Sequence, residues 1–320
     1  MLKRKLLKRF ISDTKLPVSA IDSLEYWERV FQLFPGTREK LEAYVEEIEG
    51  DPDKWMDDFE KLKNRIISDF KESVAYKRFI AADMNTYTLL DMPGSGISSK
   101  SVYEIVKDTD TKGKVFLSID LKAANFQVLR FLGVYTDSSW LDLISRYTES
   151  QHIRNSKYFR SVVYGNLNVG RIQTVEKYLT NEVRRYLETA EILPENYKLI
   201  SMMPDELVYE VSEGDLAPFV IEELEETIKE EVGVEVKITH FVLKHQYLQS
   251  AANPGRKIKF FSRHEENAGE GELVCIGAPY AMIAQALWRT GKVEDLDKLF
   301  LNQEGFMCKI QDELEIKEGL

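Results

Sequence analysis

The spacing of apolar residues changes period along the chain, and the changes divide it into three parts. After the Pro35-Gly36-Thr37 break, Leu41, Tyr44, Val45 and Ile48 recur at helical spacing. Gly50-Asp51-Pro52-Asp53 ends that helix and caps the next, whose inward stripe is Trp55, Phe59, Leu62, Ile66, Ile67 and Phe70. Two packed helices are therefore expected within residues 1–84, with the acidic run from Glu46 to Glu60 as a solvated face. Strands are expected at 102–107 and 114–120, and helices at 123–132, 138–147, 153–164 and 168–189. Further strands follow at 197–203 and 206–212, then a helix at 216–231 and extended structure at 234–248. The 216–231 helix is amphipathic, with Phe219, Val220, Leu224 and Ile228 inward and Glu222, Glu223, Glu225 and Glu226 outward. This order predicts an α+β fold with a mixed or antiparallel sheet covered by helices. Residues 251–320 form a C-terminal extension in which Pro279–Trp288 reads as an apolar helix docked on the preceding domain.

Two segments carry the candidate chemistry. Val115-Phe-Leu-Ser-Ile-Asp120 is an apolar run that ends on a carboxylate, and Ile200-Ser-Met-Met-Pro-Asp205-Glu206-Leu-Val-Tyr-Glu210-Val is two apolar runs with Asp205 at the reversal. Taken singly, each aspartate is equally a helix cap or hairpin punctuation. Taken together, carboxylates at a strand end and on an adjacent hairpin can hold two Mg²⁺ ions about 3.5–4 Å apart, the arrangement a palm-type nucleotidyltransferase needs.

The wording around these acids resembles the family A DNA polymerases, the DNA polymerase I group. Met203-Pro-Asp-Glu-Leu-Val-Tyr-Glu-Val211 is similar to motif C, usually His-Asp-Glu-Leu-Val-Phe-Glu-Val, and Asp120-Leu-Lys-Ala-Ala-Asn-Phe-Gln-Val-Leu-Arg130 to motif A. Arg154-Asn-Ser-Lys-Tyr-Phe-Arg-Ser-Val-Val-Tyr164-Gly165 resembles motif B, the fingers helix, and Gly94-Ser-Gly-Ile-Ser-Ser99 echoes a segment that lies against primer–template. The four stand in the family's order, and the resemblance covers residues 85 to 250. It implies a compact palm at 85–250 with reduced fingers at about 138–190, preceded by a thumb-like helical region at 1–84.

The implied activity is template-directed transfer of nucleotides from nucleoside triphosphates to a primer 3′-hydroxyl. Asp120 and Asp205 would hold two Mg²⁺ ions, replaceable by Mn²⁺, with the Leu121 carbonyl as a candidate extra ligand and Glu206 either behind the metal ligands or beside the primer terminus. Arg154, Lys157 or Arg160 would meet the triphosphate, Tyr164 would stack near the incoming base, and Asn125 would lie against the sugar. Ser98, Ser99, Arg171, Arg184 and Arg185 would contact nucleic acid, and a replication accessory protein is a candidate partner. Outside the resemblance, the segment with Arg256 and Lys257 joins a turn to four cations and two aromatics, and is either a further nucleic-acid contact by charge and stacking or plain turn and strand. Pro204 replaces the family's usual His, and Asn125 replaces the Glu that blocks a ribose 2′-hydroxyl. Gln127 is closer to motif A of the single-subunit phage RNA polymerases. Only forty residues separate Gly165 from Asp205, too few for the family's full set of template-binding helices. Two alternatives follow: a non-catalytic palm serving as a replication-associated nucleic-acid-binding protein, or a template-independent terminal or priming transferase.

Composition narrows the picture further. With 320 residues, 43% apolar and 30% charged, the chain can bury one substantial core or two modest ones. No run approaches the ~18 apolar residues of a membrane span, and the basic N-terminus lacks a signal-peptide core, so an intracellular, cytoplasmic or nucleoid-associated address is expected. The resemblance, taken with the chain's compactness, implies a phage, viral or mobile-element origin. Cys275 and Cys308 suit a reducing compartment, and His152, His240, His245 and His264 have no metal-ligand spacing. The net charge of −11 opposes bulk electrostatic binding of nucleic acid. Locally the balance reverses: residues 151–185 carry seven cations against two anions. Lys3, Arg4, Lys5, Lys8 and Arg9 are either a phosphate-contacting arm or a frayed basic terminus. Gly94–Ser101 imitates a Walker loop, but Ser99 stands where that loop requires Gly.

Overall fold

The computed structural model describes residues 4–48, 51–87, 96–215, 221–250, 252–266 and 269–319. Of the sequence features above, Lys3, Gly50, Gly94, Ser95, Phe219, Val220 and Ala251 lie outside the described residues.

Upstream of residue 85 the expected pair of helices is joined by three more: α1 (Arg4–Thr14), α2 (Leu24–Leu33), α3 (Thr37–Ile48), α4 (Pro52–Glu72) and α5 (Val74–Ala81). The breaks follow local chemistry, since Ser23, Asp51 and Ser73 each cap the following helix by accepting a backbone N–H. Phe10, Tyr26, Trp27, Val30 and Tyr44 form a core with Met282 and Ala286 from the C-terminal part of the chain. Helix α4 runs beside the later helix at 157–165, with Phe59 and Phe159 edge to face at 4.8 Å.

The chain then forms α6 (Val102–Val106), β1 (Lys114–Leu121), α7 (Ala124–Phe131), α8 (Trp140–Ser145), α9 (Gln151–Asn155), α10 (Lys157–Gly165) and α11 (Val169–Thr189). Strands β2 (Lys198–Met202) and β3 (Glu206–Ser212) make the expected hairpin, followed by α12 (Ile221–Val232) and β4 (Val236–Ser250). Two departures from expectation have simple causes. Residues 102–106 are helical rather than extended, because Val102 and Val106 share a helix face and both are buried in one small core. The helix expected at 153–164 is broken at Ser156, whose side chain caps α10 by accepting from Phe159 N.

Strands β5 (Lys257–Glu265), β6 (Glu272–Val274), β7 (Leu299–Leu301), β8 (Met307–Lys309) and β9 (Leu314–Glu318), with helix α13 (Ala278–Thr290), complete the chain. The main sheet has the order β2-β3-β1-β4-β5-β6, with β9 also on β4, and every strand pairing is antiparallel. The fold is thus α+β with an antiparallel sheet. Strand β4 is long enough for two partners on one edge: residues 236–241 pair with β1 and residues 246–250 with β9, while β5 runs along the other edge. The sheet therefore continues across residue 250, and α13 packs on Leu248 and Phe260 as well as on the N-terminal helices.

Strand β1 is the central element. Val115, Leu117, Ile119 and Leu121 belong to the large core under the helices, whereas Phe116 joins the smaller core with α6, so both faces are covered. A buried ion pair ties the two ends of the chain: Arg29 on α2 donates from Nε and Nη2 to the two carboxylate oxygens of Asp297, each at 2.9 Å.

Candidate functional site

Pairing between β1 and β3 sets Asp120 directly opposite Glu206. At the end of the same ladder the Leu121 N–H donates to the carbonyl of Asp205 at 2.8 Å, which pins the hairpin tip to the end of β1. From the far side, Thr180 on α11 donates its hydroxyl to the Pro204 carbonyl at 2.7 Å. Glu176 lies one turn earlier on the same helix face, which brings a further carboxylate beside Asp205. After β1 the chain turns through Ala123 in the left-handed conformation (φ 52°) and enters α7, with Asn125 half-buried in its first turn. Sequence reasoning thus located Asp120, Leu121, Asp205, Glu206 and Asn125 in one neighbourhood. It missed Glu176, although its place in the buried stripe Ile172, Val175, Leu179 and Val183 is itself a signal.

The acids feel one another's charge and are poorly compensated. Glu206 accepts a hydrogen bond from Ser118 Oγ at 2.5 Å, but among the described residues the side chains of Asp120, Asp205 and Glu176 have neither a hydrogen-bond donor nor a salt-bridge partner. Burial, then the charges of Asp205 and Glu206, push the Asp120 carboxyl up to about 6, against a smaller pull from Lys157 and Lys237. Burial, with Asp205 behind it, pushes Glu176 up to about 7. Glu206 is also raised, by burial, with Ser118 and Arg263 opposing.

Both Asp120 and Glu176 hold a proton more tightly when folded than when unfolded. The folded state therefore binds more protons between the ordinary carboxylate range and pH 7, and stability falls as pH rises through that window. In chelator, the melting temperature should drop between about pH 4.5 and 7.5, and Glu176→Gln should flatten that slope and stabilise the protein at pH 8 by on the order of 1–2 kcal/mol. Thermal melts across pH check this; an unchanged slope in the variant would remove Glu176 from the cluster.

The donor set suits a hard divalent cation, which takes one or two carboxylates and completes its shell with water and phosphate oxygens. Among the described residues no group of three His, Cys, Asp or Glu side chains forms a metal cage, so a cation here would rest on Asp120 and Asp205 plus non-protein oxygens.

The predicted cations separate into two groups. Lys157 is exposed at the start of α10, and Arg160 is half-buried one turn later, with no carboxylate paired to either among the described residues. Arg154 and Arg160 line a cleft of about 270 Å³ with Ala123, Gln127, Ser138 and Trp140, beside the turn that follows β1. Arg154 is also anchored there, Nε donating to the Thr148 carbonyl at 2.7 Å and Nη2 to Glu149 at 2.9 Å. Ser98 lies along the hairpin, donating its N–H to the Ile200 carbonyl at 3.1 Å and accepting from Met202 N at 2.9 Å, with Ser99 exposed next to it.

Other expected contacts are internal. Tyr164 is 1% exposed: its hydroxyl bonds Tyr135 at 2.8 Å and its ring packs on Phe70 and Trp140, so no face is left for a base. Arg184 is 5% exposed and donates to Asn181 and Glu188, because it sits on the covered side of α11. Arg171 donates to the Phe79 and Ala82 carbonyls and so fastens α11 to the end of α5. Arg185 is exposed and paired with Glu182 at 3.0 Å. Arg256 donates to the Tyr280 hydroxyl at 2.8 Å, and Lys257 lies over the Tyr247 ring at 4.5 Å. Both sit at the end of β4 remote from Val236, the partner of Leu121, at a strand distance of roughly 40 Å. Of the basic N-terminal cluster, Arg9 is spent on Asp13 at 3.1 Å and on the faces of Phe59 and Tyr158.

Among the described residues no helix is long and apolar enough to cross a membrane, and Cys275 and Cys308 are free thiols. No protein-family model, curated protein or solved structure matches the chain.

Proposed function

We propose that this protein is a palm-type nucleotidyltransferase similar to a reduced family A DNA polymerase, transferring nucleotides from triphosphates to a primer 3′-hydroxyl under template direction. The observation that carries the reading is that the β1–β3 register sets Asp120 opposite Glu206 while the Leu121 N–H holds the Asp205 carbonyl at the end of the same ladder, with Asp120 and Asp205 on one side and the cations of α10 on the other all lacking a salt-bridge partner among the described residues. That is the distribution of charge a metal-bound triphosphate would complete. Divalent ions bound there would lower the pKa of the attacking hydroxyl and neutralise charge on the leaving phosphate. The chain's own residues would then bind and orient: Asp120 and Asp205 hold the ions, Lys157 and Arg160 face the triphosphate, and Glu206 is held by Ser118 beside the primer end. Incorporation of labelled dNTPs and rNTPs on a primed template, with Mg²⁺ and with Mn²⁺, tests the reading; no incorporation of either under any of these conditions would reject it.

Discrimination between sugars follows from Asn125, which is uncharged and shorter by one methylene than the Glu usual in the resembling family. A 2′-hydroxyl would be crowded less and could accept or donate a hydrogen bond. Asn125→Glu should lower ribonucleotide incorporation relative to deoxyribonucleotide by about 10-fold or more, on the scale of one lost hydrogen bond and a steric clash. An unchanged ratio in an active variant would mean that the sugar is read elsewhere.

A further inference from the structure

Resting on the nucleotidyl-transfer reading, we propose that Lys15 is a phosphate-binding residue of the same site, so that the triphosphate is held between the end of helix α1 and the start of helix α10. Nothing in the sequence motifs points to it. Lys15 lies far upstream of every segment that resembles a polymerase, and the tertiary structure alone brings it in.

Asp13 sets the position. Its carboxylate, almost fully buried, meets His152 Nε2 at 2.7 Å, the Ser156 hydroxyl at 3.1 Å and Arg9 Nε at 3.1 Å. Ser156 is the cap of α10, so this one carboxylate locks the last turn of α1 against the first turn of α10. Lys15 follows two residues after Asp13, and Lys157 one residue after Ser156. The chain reverses at Lys15 through the left-handed conformation (φ 55°), with Leu16 N–H donating back to the Ile11 carbonyl at 3.1 Å. Helices commonly close this way, but usually on glycine. A lysine in that place carries backbone strain.

The result is an exposed ammonium beside that of Lys157, within the field of Arg160 and Asp120. None of the three cations is paired with a carboxylate among the described residues. Like charges held together by the fold near the Asp120 carboxylate are relieved by a polyanion, and a triphosphate presents enough oxygens to span all three. The N-terminal helix would thus be part of the nucleotide site, not a separate appendage.

Isothermal titration calorimetry with dATP, ATP and dAMP, with Ca²⁺ replacing Mg²⁺ so that no transfer occurs, tests this. Lys15→Ala should weaken binding of both triphosphates by about 10-fold and leave dAMP little changed, while Lys15→Arg should stay within about 2-fold of wild type. Lys15→Gly separates the ligand role from a structural one: relief of strain should raise the melting temperature by about 1–3 °C while triphosphate binding weakens as in the alanine variant. If Lys15→Ala and Lys15→Gly bind triphosphate as tightly as wild type, the assignment of Lys15 is wrong although the nucleotidyl-transfer reading stands. If wild-type protein binds no triphosphate at all, both fall together.

Discussion

Asp120→Asn and Asp205→Asn are each expected to lower nucleotide incorporation by at least about 1000-fold while the protein stays folded. Either change removes one of two carboxylates on which bound divalent ions would rest, and loss of preorganised charge at a reacting centre costs on the order of 10²–10³-fold or more. The effect on stability should have the opposite sign. The Asp120 carboxyl is pushed up to about 6 by burial and by neighbouring acids, so its ionised form works against folding at neutral pH. Replacing it with a neutral isostere should stabilise the apo protein by about 1 kcal/mol, the contribution being reduced by partial solvent screening. Single-nucleotide incorporation and thermal melts with and without Mg²⁺ measure both effects. A variant that is more heat-stable, inactive and no longer stabilised by Mg²⁺ fits the proposal; either single variant with near wild-type turnover defeats the two-aspartate assignment.

Asp297→Ala is expected to cost about 3–5 kcal/mol of stability, the largest effect on folding of any single change considered. Asp297 is 0% exposed, takes two hydrogen bonds from Arg29 at 2.9 Å, and accepts from the Glu294 backbone N–H at 2.8 Å. Truncation leaves the Arg29 guanidinium buried without its main counter-charge, and the N-terminal helices lose their clasp on the C-terminal part of the chain. Denaturant unfolding of the variant and of the double variant Arg29→Met/Asp297→Leu distinguishes a lost pair from a buried orphan charge. The double variant should recover much of the loss, since replacing both members with apolar groups leaves nothing unsatisfied. A loss below about 1 kcal/mol for Asp297→Ala would show that this pair behaves as a surface contact.

Most of the order of elements could be read from local patterns. The apolar run before Asp120, the Pro-Asp-Glu reversal, the stripe of α11 and the amphipathic face of α12 are each a property of neighbouring residues, and β1, β2, β3 and α11 formed close to their expected ranges, with α12 helical over the described part of its own. Residues 102–106 failed the same test because Val102, Ile105 and Val106 satisfy either period, and the choice fell to the small core that buries them. Arg184 and Arg171 look like any cation on a basic helix; which side of α11 is covered depends on elements distant in sequence. Tyr164 ends a motif that resembles a nucleotide-binding helix, yet its hydroxyl has been claimed by Tyr135.

Residue order was therefore sufficient to put Asp120 at a strand end and Asp205 at a hairpin tip, because pleat, turn and cap are decided within a few residues. It could not say that these ends meet, that Glu176 joins them from α11, or that Lys15 lies beside Lys157. Those facts arise from the β1–β3 register, from Thr180 on the Pro204 carbonyl, and from Asp13 on Ser156, contacts whose partners are far apart in the chain and are chosen by packing and hydrogen-bond satisfaction over the whole fold.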